Sequence, residues 1–307
     1  MSEQKITPIL VTGAHRSGST WAGNMISAPP DIAYVNEPFN ILYKPGSCRP
    51  HFQYWYSYVC EENESFHAQY IKDCLEYKPR QFKKALKHGS ISDIPRITKF
   101  QLECLKAKLM NKRPLVKDPL AVFSSEWLAN RFNMDVVILI RHPAAFVGSL
   151  KVANWPFSFS HLLNQPLLIE QQLSSYENEI KEFSENEYDL IDQAILLWNL
   201  VYSVVLKFQT TYKGEWIFVK HEDLSRDPLN EFRSIFQKLD IPFSEQAESR
   251  ITKYSYADSN TEDRSTRDSK SNIWKWTTRL TEDEISRVRE KTHDISKHFY
   301  RDEDWVG

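Results

Sequence analysis

The chain of 307 residues has only four cysteines, Cys48, Cys60, Cys74 and Cys104, and no two of them form a CxxC pair. That count argues against a disulfide framework, because a chain of this length buries core enough without one and scattered thiols read as packed, reduced side chains. Cys60, His67 and Cys74 recur every seven residues, which would align them on one side of a helix. A zinc site would need a fourth ligand and a closed geometry that nothing nearby announces. Also missing is any apolar run of about 18 residues, the length needed to cross a bilayer. Met1 to Thr7 do not read as a signal peptide, so cytoplasmic residence is the expectation. Charge of one sign is lacking too: the net charge is −2 and the pI near 6.5, which gives no global pull towards nucleic acid or membrane. Any anion site must therefore be local.

What is present is a soluble-protein composition, 41% hydrophobic and 26% charged, organised around residues 8 to 24. Ile9, Leu10 and Val11 make the short apolar run of a buried parallel strand. Gly13 ends it, Gly18 tightens the turn, and Ser17, Ser19 and Thr20 stand where a helix should begin. Unpaired backbone N–H groups and the helix dipole converge there on an anion. The spacing Gly13-x4-Gly18-x-Thr20 copies a P-loop, with Ser19 in the place of the P-loop lysine and a positive charge earlier, at Arg16. A loop of this kind suits a phosphate-like group rather than the magnesium-bound phosphates of an ordinary NTPase. With no ligand it would be a plain strand-to-helix turn.

Further strands are expected at Ile32 to Val35, Pro114 to Val116, Asp135 to Ile140 and Glu215 to Val219. The fold class is α/β, a three-layer sandwich around a mainly parallel sheet of P-loop NTPase-like type, in one domain spanning 1–307. Residues past the carboxyl ends of parallel strands face the ligand crevice. Glu37, after the second strand, shares that edge with the glycine loop; Pro38 and Phe39 order and partly desolvate it, a setting that suits a general base. Arg141 ends the most apolar strand and Ser149 follows eight residues on; a guanidinium and a hydroxyl there can hold one doubly charged oxyanion. Residues 40–112 read as a helical, aromatic-rich insertion that selects substrate, packs as a cap, or does both. Helices are expected over Leu120 to Phe132, Pro166 to Phe183, Asp189 to Tyr212 and Pro228 to Leu239. A polar loop is expected over 255–272, then a helix from Thr281 with a capping box at Glu284.

Three stretches together resemble the sulfotransferase family that uses 3′-phosphoadenosine 5′-phosphosulfate (PAPS) as donor. Arg16-Ser17-Gly18-Ser19-Thr20-Trp21 resembles its 5′-phosphosulfate loop, and Arg141-His142-Pro143 with Ser149 its 3′-phosphate motif. Val219 to Pro228 and Trp274-Lys275 before the last helix match more loosely. Asn36-Glu37-Pro38-Phe39 is similar to the carbohydrate-type branch. The histidine base that the small-molecule branch carries beside its lysine is replaced by Pro119 after Lys117-Asp118, and His221 stands where the family has a tyrosine.

The resemblance implies transfer of a sulfuryl group to an acceptor hydroxyl, a carbohydrate, with no metal. Arg16 and the Ser17–Thr20 amides would hold the 5′-phosphosulfate, with His15 lining the loop. Lys117 would meet the sulfuryl and leaving oxygens, Glu37 would take the acceptor proton, and Arg141 and Ser149 would hold the 3′-phosphate. Trp21 would stack on adenine, although a tryptophan at helical spacing also packs a core. His15 and His142 are the rival bases, and Trp55 or Tyr56 would stack on a sugar ring. The alternatives are a P-loop kinase-like phosphotransferase, with Asp118 as its magnesium ligand, and a non-catalytic nucleotide-binding protein, which has no need of Glu37.

Overall fold

Five apolar stretches pair into one sheet in the computed structural model: β1 (Ile9–Gly13), β2 (Ile32–Asn36), β3 (Arg113–Lys117), β4 (Asp135–Ile140) and β5 (Ile217–Lys220). The structure describes residues 6–42, 47–48, 51–78, 91–255 and 272–306. Every strand pairing among them is parallel, in the order β2-β3-β1-β4-β5. Side chains alternate across a strand, so each strand feeds two cores. Leu10, Val116, Val136 and Ile138 face one side, and Ile9, Val11, Leu115, Val137 and Leu139 the other. Helix Ser19–Ile26 (α1), with helices Pro228–Lys238 and Glu245–Ser255, covers the second face. Helices Ser125–Phe132, Pro143–Ala153, Leu190–Thr211 and Glu282–Ser296 cover the first. Three α/β layers result, with all five strands parallel.

Leu190–Thr211 is long and apolar enough to cross a membrane, the only such helix among the described residues. Trp198, Val201 and Tyr202 on it are nevertheless fully buried in the first core. Its N-terminus falls where the sequence places it, capped by Asp189, whose carboxylate accepts from the Asp192 N–H at 2.8 Å. The Thr281 capping box is also present: Thr281 Oγ1 accepts from Glu284 N–H at 3.2 Å, and the Glu284 carboxylate accepts from Thr281 N–H at 2.8 Å.

Two expected helices are broken. Pro119–Ser124 is a 3₁₀ helix and the α-helix begins only at Ser125. Asp118 caps the tighter turn by accepting from Leu120 N–H at 2.9 Å. The stretch from Pro166 splits into Pro166–Gln171, Ser174–Tyr176 and Glu177–Glu185. Leu168, Leu173 and Ile180 are all 0% exposed. A straight helix turns about 100° per residue and would point Leu168 and Leu173 about 140° apart; the break lets all three reach one core. The sequence gives little sign of helix Glu245–Ser255, whose apolar contacts come from Ala247, Ile251 and the half-buried Tyr254 alone. The polar loop expected over 255–272 lies, between 256 and 271, outside the described residues. Cys60 precedes the helix Ala68–Leu75 that carries Cys74, so the seven-residue spacing does not align the three side chains along one helix.

Candidate functional site

Parallel pairing brings the carboxyl ends of β1, β2, β3 and β4 to one edge, and the candidate residues leave from there. The chain passes from β3 on one side of β1 to β4 on the other, so a crevice opens at the end of β1, where ligands bind in such sheets. The loop from Gly13 to Gly18 fills its floor. Gly13 has φ +140° and a Cβ there would collide with the Leu139 carbonyl oxygen; Gly18 has φ +93° and a Cβ would strike the His221 ring. Both positions therefore need glycine. Gly18 caps α1 and Ser19 is its first residue, which leaves the amides of the first turn directed into the crevice. The His221 imidazole packs directly on the loop at Gly18.

Arg16, Arg141 and Ser149 are brought together. Arg16 Nε donates to Ser149 Oγ at 2.9 Å, and an Arg141 guanidinium N–H donates to the Arg16 carbonyl. The Arg141 backbone is fixed from below: its N–H donates to the Tyr202 hydroxyl at 3.1 Å and its carbonyl accepts from Trp198 Nε1 at 2.9 Å. Burial, with the nearby positive charges of Arg16 and Arg279, pulls the Arg141 guanidinium down to about 10, leaving it cationic at neutral pH. Arg141 Nε and Ser17 Oγ are buried without a hydrogen-bond partner. Orphaned buried donors are costly. These two, beside a glycine turn and clustered guanidinia, fit a polyanionic ligand.

On the other flank Lys117 Nζ is ion-paired with Glu37 Oε1. Lys117 is 2% exposed and its stem crosses Gly23 of α1, where a Cβ would lie 3.0 Å from Lys117 Cγ. The Asn40 side-chain amide donates to Glu37 Oε2 at 2.8 Å, and the Glu37 N–H donates to the Lys117 carbonyl at 2.9 Å. Glu37 and Arg16 both hold positive φ, +46° and +64°, a region that asparagine and aspartate tolerate better. Strain of this kind persists only where surrounding contacts over-determine it, and it concentrates at functional sites.

The histidines stand differently. His15 shares a 2.6 Å hydrogen bond between Nδ1 and the Tyr56 hydroxyl, which also accepts from the His15 N–H at 3.1 Å. Burial, assisted by Arg16, lowers its imidazole to about 4. His142 lies 2% exposed, stacked on Trp276 at 5.3 Å and boxed by Tyr300 and Trp305. Burial brings it down to about 3. Its N–H donates to Glu222 Oε1 at 3.0 Å, and Glu222 also accepts from the Tyr300 hydroxyl at 2.9 Å. His142 thus carries a pH signature of its own. An unfolded imidazole takes a proton near pH 6.5, whereas the folded ring stays neutral to about 3. The unfolded state binds the extra proton in between, so stability falls as pH drops through that window, by about 1.4 kcal/mol per pH unit for one site. His142→Phe should remove this part of the acid slope, read as a flatter urea midpoint between about pH 6 and pH 4. Slopes equal to the unsubstituted protein's would assign the acid sensitivity elsewhere.

Two sequence expectations change in detail. Tyr56 is 1% exposed with its hydroxyl on His15, so it braces the Gly13–Gly18 loop and is no stacking platform; Trp55 is half-buried. Asp118 is 0% exposed, and its two oxygens accept from the Phe39 N–H at 2.6 Å and the Leu120 N–H at 2.9 Å. It is a structural cap, which takes the magnesium ligand from the phosphotransferase alternative. Trp21 stands on α1 edge-on to Phe232 at 5.4 Å and His221 at 5.8 Å. The contacts through Tyr56, Trp198, Tyr202 and Glu222 were not foreseen. Trp198 and Tyr202 stand four apart on a core helix, and nothing in that spacing distinguishes a backbone clamp from ordinary packing.

A glycine cradle, a helix N-terminus, clustered guanidinia and a lysine–carboxylate pair stand together at one sheet edge, an arrangement that suits a polyanionic group. The model of the Sulfotransferase family matches residues 8–245, and the chain belongs to that family. No curated protein matches it. Among solved structures it is similar to the sulfotransferase domain from the curacin biosynthetic pathway, at 15% identity and a TM-score of 0.48 over 94% of this chain and 97% of that one. It is also similar to sulfotransferase STF9 from Mycobacterium avium, at 14% and 0.46 over 96% and 77%. Mouse sulfotransferase SULT7A1 complexed with PAP gives 12% and 0.46 over 98% and 87%.

Proposed function

We propose that the protein transfers a sulfuryl group from PAPS to a hydroxyl of a carbohydrate acceptor. The observation that carries this reading is the convergence at one sheet edge of the Gly13–Gly18 loop, the Arg141–Arg16–Ser149 chain and the Lys117–Glu37 pair. When bound, the donor supplies the sulfuryl group and a phosphate leaving group. Arg16 and the amides of Ser17 to Thr20 bind its 5′ end, and Arg141 and Ser149 its 3′-phosphate. His15 lines the loop, and Trp21 flanks the base. Lys117 sets positive charge where charge builds on the oxygens during transfer, and Glu37 accepts the hydroxyl proton. A loose transition state asks for positioning and oriented charge above all. The lysine–carboxylate pair supports an enzyme over a nucleotide sensor, which would need no base. The carbohydrate assignment is supported by Asn36-Glu37-Pro38-Phe39 and by the aromatic insertion.

A labelled-donor screen over saccharides and phenols tests the acceptor class: label on saccharides supports it, and label on phenols alone overturns it. The same assay in excess chelator should retain activity within about twofold, since Ser19 replaces the P-loop lysine and both Asp118 oxygens are committed to backbone amides. A magnesium-dependent phosphoryl site would lose orders of magnitude.

A further inference from the structure

The helix Ile94–Leu109 has two apolar faces, and the core accounts for only one. Ile97 and Ala107 are buried and Cys104 half-buried on its inner side. At about 100° per residue, positions 94, 98, 102, 105 and 109 fall within an arc of about 80° elsewhere on the cylinder. Four of these are Ile94, Leu102, Leu105 and Leu109, and the three leucines are 62%, 53% and 77% exposed. Lys99 and Lys106 flank the stripe on one side and Lys108 on the other. Of the ten large apolar side chains exposed among the described residues, seven lie between 40 and 112. Charge segregates to the same stretch. From Lys78 to Lys112 the sequence holds ten basic residues against two acidic ones, Asp93 and Glu103, in a chain whose net charge is −2.

We propose that this helix docks the protein on an anionic lipid bilayer. An exposed leucine ridge edged by lysines is the pattern of a helix lying in the membrane interface: leucines enter the acyl boundary, and lysine stems run up beside them to place ammonium groups at the headgroups. Lys99, Lys106 and Lys108 meet the negative surface potential of anionic lipid. A second copy is the poorer occupant. A twofold contact along the stripe would press Lys99 and Lys106 of both copies together, and the helix's one carboxylate, Glu103, lies 3.9 Å from Lys99 of its own chain. Nucleic acid would answer the lysines and leave the leucines in water. The insertion that carries the helix also borders the site, since the Tyr70 hydroxyl donates at 3.0 Å to the carbonyl of Pro38, the neighbour of Glu37.

The test uses the full chain without donor or acceptor, so it succeeds or fails independently of the transfer chemistry. Co-sedimentation is measured with vesicles of phosphatidylcholine alone and with roughly one third phosphatidylglycerol. Binding should be at least about tenfold tighter to the anionic vesicles and weaken as salt shortens the screening length. Leu105→Ser with Leu109→Ser, and separately Lys99→Glu with Lys106→Glu, should each weaken it by about tenfold or more. Both pairs are exposed, so circular dichroism and the melting midpoint should stay unchanged. Equal partition onto neutral and anionic vesicles, no binding to either, or full binding by either folded variant would overturn the proposal. So would light scattering that shows a dimer dissolved by the leucine substitutions, which would assign the ridge to a second copy.

Discussion

Glu37→Gln should lower turnover by roughly 10²–10⁴, the usual worth of a general base, while affinity for the donor stays intact. Glutamine keeps the shape and can still meet Asn40 and the Lys117 ammonium, so the loss isolates proton transfer from folding and binding. The carboxylate accepts the hydroxyl proton only when ionised, so the rate of the unsubstituted protein should fall on the acid side. That limb should be absent in the variant. The rival bases are poorly set for the work. His142 is closed in by Trp276, Tyr300 and Trp305, and Nδ1 of His15 is engaged by Tyr56. Near-normal turnover in Glu37→Gln, alongside an inactive His15→Ala protein of intact donor affinity, would move the base to His15.

Arg141→Ala should weaken binding of 3′-phosphoadenosine 5′-phosphate by about 2–4 kcal/mol, the range for removing a charged hydrogen-bonding partner from a partly buried site. The nucleotide without the 3′-phosphate should bind the variant and the unsubstituted protein almost alike. The selectivity is the informative part. Tyr202 and Trp198 hold the Arg141 backbone, so truncating the side chain leaves the strand end in place. Loss of the Arg141 contact to the Arg16 carbonyl could loosen the loop, and that would weaken both nucleotides equally in calorimetry. Equal losses would return Arg141 to a structural role.

The parts legible in the sequence were those whose physics is local. A strand buried on both faces must be a short unbroken apolar run, and Ile9–Val11 and Asp135–Ile140 show it directly. Gly13 and Gly18 were readable because a tight turn leaves few other residues possible, and Thr281 with Glu284 because a capping box has a fixed spacing. Glu37 and Lys117 could each be placed on the same edge by counting past a strand. Their pairing could not, since it depends on β2 lying beside β3. The Arg16–Ser149 bond spans 133 positions and arises only when β1 and β4 become neighbours. Tyr56 departs from its sequence reading for the same reason. An aromatic residue in an aromatic-rich insertion beside the site reads as a surface platform, and only the fold buries it against His15. The break in the stretch from Pro166 was hidden because its apolar residues satisfy a helical period locally, while the core they share demands a turn.

The most direct measurement follows a radiolabelled sulfuryl group through a single reaction containing the purified chain, PAPS and a saccharide acceptor. The account predicts that label moves from nucleotide to saccharide while 3′-phosphoadenosine 5′-phosphate accumulates one for one, and that Glu37→Gln slows both together. Label that stays on the nucleotide, with a phosphorylated saccharide formed instead when ATP and magnesium are supplied, would contradict it.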